Sequence, residues 1–226
     1  SKIYSYLTQF LVIQMQLKNL LEKYTNKKII VVNNYVEENT SKYNFKNFNE
    51  EIIFVTVSRL EKRKNIKFLI NVFDRMSKDR KNIYLHIIGN GTQESKLKNY
   101  TKNLQNYKIK FFGRVDNVID KLKESSIYLC ASELEGMSNS LLEAMSVGLP
   151  TVIVKSHSVS DCHIENVTAL FSNKTEIDFQ NNCEKLINDK KLRNKLSLQS
   201  INHVKQNYSF DKTIKAYIEI YKNLLN

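Results

Sequence analysis

Apolar and polar positions alternate along this chain in two rhythms. Residues 52–58 (IIFVTVS) are almost wholly apolar and rich in β-branched side chains, which predicts a strand covered on both faces. Over 65–77, Ile66, Leu69, Ile70, Phe73 and Met76 recur at helical spacing. The pair then repeats. Strands are predicted at 83–89, 109–113, 126–132, 151–154 and 168–172, and helices at 94–104, 118–125 and 140–148. Three helices follow, at about 178–188, 190–206 and 211–225. Upstream, FLVIQ predicts a strand, then a helix, then a strand over 28–34. Strands alternating with helices imply right-handed crossovers. The expected fold is α/β: a Rossmann-like, doubly wound, mainly parallel sheet with C-terminal helices. In such a sheet ligands gather beyond the carboxyl ends of the strands.

Those ends carry the unusual chemistry. After 52–58 stand Arg59, Lys62, Arg63 and Lys64, just before a helix. Cations at a helix start are mildly unfavourable unless an anion sits between them and the free N–H groups. Arg59, with its fork, and Lys64, as a point charge, are the candidate phosphate contacts. The competing reading is a solvated turn that Glu61 partly neutralises. After 83–88 come Gly89, Asn90 and Gly91, either a loop that lets a phosphate approach or a tight turn needing glycine. After 126–131 comes ELEGMSNSLLEAMSVGLP (133–150), with Glu135 and Glu143 eight apart. Ser140-Leu-Leu-Glu143 fits a capping box, which accounts for Glu143 as part of a helix start and leaves Glu135 to be read as a solvated surface carboxylate. A ligand explains both. Amides near Ser138, Asn139, Ser140 and Leu141 suit a phosphate, Glu143 a ribose diol, and Glu135 a second hydroxylated group. A diphosphate flanked by two sugars has that shape.

Composition narrows the setting. The 226 residues are 42% hydrophobic, enough for a proper core, and no apolar run approaches the length of a membrane span. A net charge of +12, from 35 basic and 23 acidic residues, favours anionic partners without choosing among nucleic acid, acidic lipid and phosphorylated small molecules. Cys130, Cys162 and Cys183 are too few and too scattered for a disulfide framework, and a reducing compartment is expected. His157, Cys162 and His163 lack metal-ligand spacing and read as surface or packing residues. The opening SKIYSY, without an initiator Met, reads as a piece of a longer protein or a processed one.

VSRLEKRKNIKFLINVF, LHIIGNGTQESKL, IKFFGRV and SELEGMSNSLLEAMSVGLPTVI occur in order at suitable spacings. Together they resemble the carboxyl-terminal domain of GT-B retaining glycosyltransferases of family GT4, and the tail from Asn207 resembles their closing helix. The resemblance covers nearly everything from Ile52 to Leu225. It implies that 1–40 is the remnant of an N-terminal acceptor domain plus an interdomain segment, and that 41–226 is the nucleotide-sugar-binding domain. It places diphosphate contacts on Arg59 and Lys64, the donor-sugar hydroxyls by Glu135, the ribose on Glu143, and phosphate on the backbone near Asn139 to Leu141. Gly89 and Gly91 join the donor site.

The implied reaction moves a hexosyl unit from a nucleotide-diphosphate sugar, with UDP the expected nucleotide, to a glycan or lipid-linked acceptor with retention. It implies no cofactor and no metal, and the chain holds no Asp-x-Asp. It also implies a role in bacterial surface-polysaccharide synthesis, a cytoplasmic location and peripheral attachment to the inner membrane face. Three departures stand out. Ser58 replaces a common Gly, Ser138 replaces the second Gly of EGFG, and SHSVSD (156–161) replaces a Gly-Gly turn near the donor sugar. The competing functions are a non-catalytic nucleotide-sugar-binding module, a GT-B sugar-nucleotide epimerase, and a basic nucleic-acid-binding protein. The last would need a continuous cationic stripe with aromatic platforms, whereas the odd chemistry here gathers at strand ends.

Overall fold

The computed structural model describes residues 9–12, 18–19, 21–26, 28–37, 51–133, 137–155 and 162–225. Two short strands, β1 (Gln9–Val12) and β2 (Lys28–Val31), pair in parallel. The main sheet holds β3 (Ile52–Val57), β4 (Ile83–Ile88), β5 (Ile109–Gly113), β6 (Ile127–Cys130), β7 (Thr151–Val154) and β8 (Leu170–Ser172). Its order is β5-β4-β3-β6-β7-β8 and every pairing is parallel. The connecting helices are α1 (Ile66–Asp79), α2 (Glu94–Leu104), α3 (Val118–Glu124) and α4 (Asn139–Ser146), followed by α5 (Glu176–Asn188), α6 (Lys190–Asn207) and α7 (Phe210–Leu225). The doubly wound, Rossmann-like fold is the one the alternating pattern predicts.

Both sheet faces are covered, which is why β6 and β7 are buried at every position. One face packs Leu69, Ile70 and Phe73 of α1 and Phe179, Cys183 and Leu186 of α5 against Phe54, Leu85 and Val152. The other packs Leu122 of α3, Leu141, Leu142 and Met145 of α4 and Val204 of α6 against Val55, Tyr128 and Ile153. The chain leaves β3 outward through β4 and β5, then returns to lay β6 on the opposite side of β3. That reversal is the topological switch point, and the crevice it opens lies beyond the carboxyl ends of β3 and β6.

Candidate functional site

The loops after β3 and β4 are locked together by their backbones. Leu60 N–H donates to Asn90 O at 2.7 Å, Gln93 N–H to Leu60 O at 2.8 Å, and Gly89 N–H to Gly113 O at 2.7 Å. Gly89 has φ of 118°, and a Cβ there would fall 2.0 Å from the Ser58 carbonyl oxygen. A Cβ on Gly91 would fall 2.6 Å from the Leu60 oxygen. Both glycines therefore serve close loop-to-loop approach. Gly89 also lines the cleft described below, whereas Gly91 stands outside its lining.

On this platform, Arg59 to Lys64 run across the rim. Glu61 pairs with Arg59 at 3.0 Å and with Arg63 at 2.9 Å, so part of the cluster is neutralised within the turn. The Arg59 side chain is still 71% exposed. Lys64 ends a 3-10 turn and is buried at 7% exposure. The turn hands over to α1 through Asn65 in the left-handed region, φ 52°.

Across the crevice, α4 opens without a side-chain cap among the described residues and has no acidic residue in its first turn. Ser138 holds the cap position, but its hydroxyl lies 3.1 Å from Ser140 Oγ instead. Ser140 Oγ is also 3.0 Å from the Tyr128 hydroxyl, which reaches the Val57 carbonyl at 3.1 Å. The capping box expected from Ser140 to Glu143 does not form. The helix starts one residue earlier and Ser140 is committed to Tyr128, so Glu143 becomes its fifth residue. The first bond of the helix is Leu142 N–H to Ser138 O at 3.1 Å. The N–H groups of Asn139, Ser140 and Leu141 have no acceptor among the described residues. The Leu141 side chain points the other way, into the core, at 1% exposure.

Two adjoining cavities meet at this helix start. One, of about 550 Å³, is lined by Arg59, Lys64, Gly89, Ser138, Asn139 and Ser140, with Asn90, Arg114 and the apolar Val57, Ile88 and Val115 also in its wall. The other, of about 720 Å³, holds Glu143 with Asp120, Lys123 and Tyr217. Asn34 and Asn139 line both. The Glu143 carboxyl makes no hydrogen bond or ion pair among the described residues, and burial raises its pKa. A carboxylate short of partners is a strong acceptor for hydroxyl donors. The Ser58 hydroxyl oxygen, beside Arg59, is buried without a partner among the described residues.

The structure thus gathers Arg59, Lys64, Gly89, Ser138, Asn139 and Ser140 into one cleft and sets Glu143 in its neighbour. Glu135 and the SHSVSD segment lie outside the described residues. Asn34, Asn90 and Arg114 join the walls without having been foreseen from the sequence. Asn34 is 105 residues away from its partner Asn139, and no local pattern marks it.

Among the described residues no group of three or more His, Cys, Asp or Glu side chains is placed to hold a metal ion. His163 is buried, with Nδ1 3.1 Å from Thr168 Oγ1, and Cys162 is buried beside it, consistent with packing roles. Among the described residues no helix is long and apolar enough to cross a membrane.

Comparison with known proteins follows the same outline. An uncharacterized glycosyltransferase of Methanocaldococcus jannaschii is 30% identical over 195 residues, covering 84% of this chain and 49% of that protein. Staphylococcus aureus TarM, solved as a mutant with fondaparinux, α-GlcNAc-glycerol and UDP, superposes with a TM-score of 0.86 at 19% identity. It covers 96% of this chain and 44% of its own. The pneumococcal O-GlcNAc transferase GtfA, solved with UDP and GlcNAc, superposes at 0.83 and 16% identity, covering 99% of this chain and 46% of its own. The chain therefore spans about half the length of these proteins. The glycosyl transferases group 1 family matches residues 37–203, most of the chain, and the chain belongs to that family.

Proposed function

We propose that this chain is the donor-binding half of a retaining glycosyltransferase that takes a hexosyl unit from a UDP-sugar. The observation that carries the reading is the uncapped start of α4. The N–H groups of its first turn have no acceptor among the described residues, and Asn139 and Ser140 line the same cleft as Arg59 and Lys64. A helix start leaves its first N–H groups without intrahelical acceptors, and in this reading a phosphate supplies them. Glu143, in the adjoining cavity, takes the ribose diol, and Glu135 the donor-sugar hydroxyls. Residues 41–226 form this binding unit, and residues 1–40 belong to an acceptor-side domain and its connection. The two superposed structures, both solved with UDP, support the choice of nucleotide.

In the proposed reaction the bond from the anomeric carbon to the diphosphate oxygen breaks, and its electron pair stays on the diphosphate. Arg59, Lys64 and the α4 N–H groups stabilise that developing charge without a metal ion. The acceptor hydroxyl of a glycan or lipid-linked saccharide attacks from the same face. Its proton passes to the departing phosphate oxygen, giving UDP and a product of retained configuration. The basic surface favours work at an acidic membrane face on the cytoplasmic side.

The test is a thermal-shift and calorimetric panel of UDP-, GDP- and ADP-sugars on the 226-residue chain. UDP-sugars are expected to bind most tightly, with Arg59→Ala and Glu143→Ala each weakening binding at least tenfold. Unchanged affinity in both variants overturns the site. A salt-sensitive nucleic-acid shift indifferent to Arg59→Ala overturns the substrate class.

A further inference from the structure

The segment before the main domain reaches back over the cleft. Asn33 O accepts from Thr213 Oγ1 at 3.4 Å, and Val36 N–H donates to Tyr208 O at 3.0 Å. The Tyr35 ring meets Phe210 edge-on, with centroids 5.0 Å apart. Between these anchors sits Asn34. Its backbone N–H donates to Met137 Sδ at 3.2 Å, in the loop leading into α4. Its side-chain amide donates to Asn139 Oδ1 at 2.8 Å, on the first residue of α4.

That second bond has an orienting consequence. An asparagine amide has one accepting end and one donating end. Asn34 Nδ2 claims the accepting end of Asn139, so Asn139 Nδ2 is left as the unspent end, on a residue that lines both cavities. The reverse orientation would present a carbonyl dipole to an anion. We infer that Asn34 is a positioning residue for the nucleoside diphosphate: through its hydrogen bond it turns the Asn139 amide donor toward the ligand and steadies the start of α4. This rests on the donor-binding reading above and adds to it a residue from outside the main domain.

Calorimetry of UDP on the 226-residue chain and its variants tests the inference. Asn34→Ala is expected to weaken UDP about five- to tenfold, the loss of roughly one hydrogen bond. The melting temperature without ligand should stay within about 2 °C, because the bond lies on an exposed loop. Asn34→Leu keeps the branched heavy-atom outline without the amide and should behave alike. In an Asn139→Ala background, removing Asn34 should cost nothing further, since its effect passes through Asn139. If Arg59→Ala weakens UDP while both Asn34 variants bind as tightly as the parent, the inference falls and the binding site stands. Full additivity of the Asn34 and Asn139 losses also overturns it. If the parent chain binds no UDP at all, the donor-binding reading falls, and the inference with it.

Discussion

Where α5 ends, the Arg193 guanidinium donates to the carbonyls of Leu186 at 2.7 Å and Ile187 at 2.8 Å. Where it begins, Thr175 Oγ1 accepts from Asp178 N–H, and α6 is capped likewise by Asp189. Nearby, Asn182 spends its amide on Phe171 O and Ser172 Oγ, and Ser200 donates to Thr168 O. The start of α4 is the opposite case: among the described residues it has no side-chain cap, no first-turn acid and no acceptor for the N–H groups of 139–141. The side of the molecule around α5 and α6 closes its own polar groups, and the rim leaves them open. The first region builds stability and the second holds the proposed donor site, the usual division between scaffold and site.

The sharpest way to break this contrast is at Arg193. Arg193→Met should cost about 2–4 kcal/mol in urea unfolding, because it strands buried carbonyls. The UDP affinity of the folded fraction should stay within about twofold. A parallel loss of affinity would show that the two regions are not separate.

Ligand comes next. UDP at a hundred times its Kd should stabilise the chain by about 3 kcal/mol. Amide exchange should slow at residues 139–141 and stay unchanged at Asp178 and Leu192, whose N–H groups are already capped. Equal protection at all three helix starts would remove the distinction.

The closed region has one internal exception. His163 Nε2 is buried without a partner among the described residues, and burial, aided by the charge of His203, pushes the His163 pKa down to about 3. Between that value and the ordinary 6.5 the unfolded chain binds a proton that the folded chain refuses. Stability should therefore fall as pH drops below about 6.5, by roughly 1 kcal/mol per unit. Comparing urea midpoints at pH 7 and pH 5 with those of His163→Gln isolates this contribution. An identical acid slope in the variant would assign it elsewhere.

The smallest effect is the most direct comparison of the two regions. Thr175→Ala should cost about 1 kcal/mol, whereas Ser138→Ala, at an equivalent cap position that makes no cap bond, should cost less than about 0.5 kcal/mol. Equal costs would mean that α4 is capped after all.

Much of the fold was legible because the apolar pattern has one cause, burial on both faces of a parallel sheet. The strand at 109–113, the helix at 94–104 and the strand at 151–154 fall where the pattern puts them. The strand read over 28–34 ends at Val31, because its last residues turn away to bond with α4 and α7. The start of α4 was misread for a different reason. Ser138 and Ser140 are both good cap residues, and only the position of Tyr128, supplied by another strand, decides between them. Within the candidate site, Arg59 and Lys64 stood out as charges after a strand end and Glu143 as a carboxylate in the first turns of a helix. Asn34 did not, because its meaning lies in a partner that only folding brings near.

The interlock at Gly89 and Gly91 reaches beyond local packing. The loop bearing Arg59 cannot swing away from the sheet without breaking the backbone bonds that tie Leu60 to Asn90 and Gln93. Under the proposed donor reading, the loop backbone is set before a nucleotide arrives, and the ordering left to capture falls on side chains such as Arg59, which is 71% exposed.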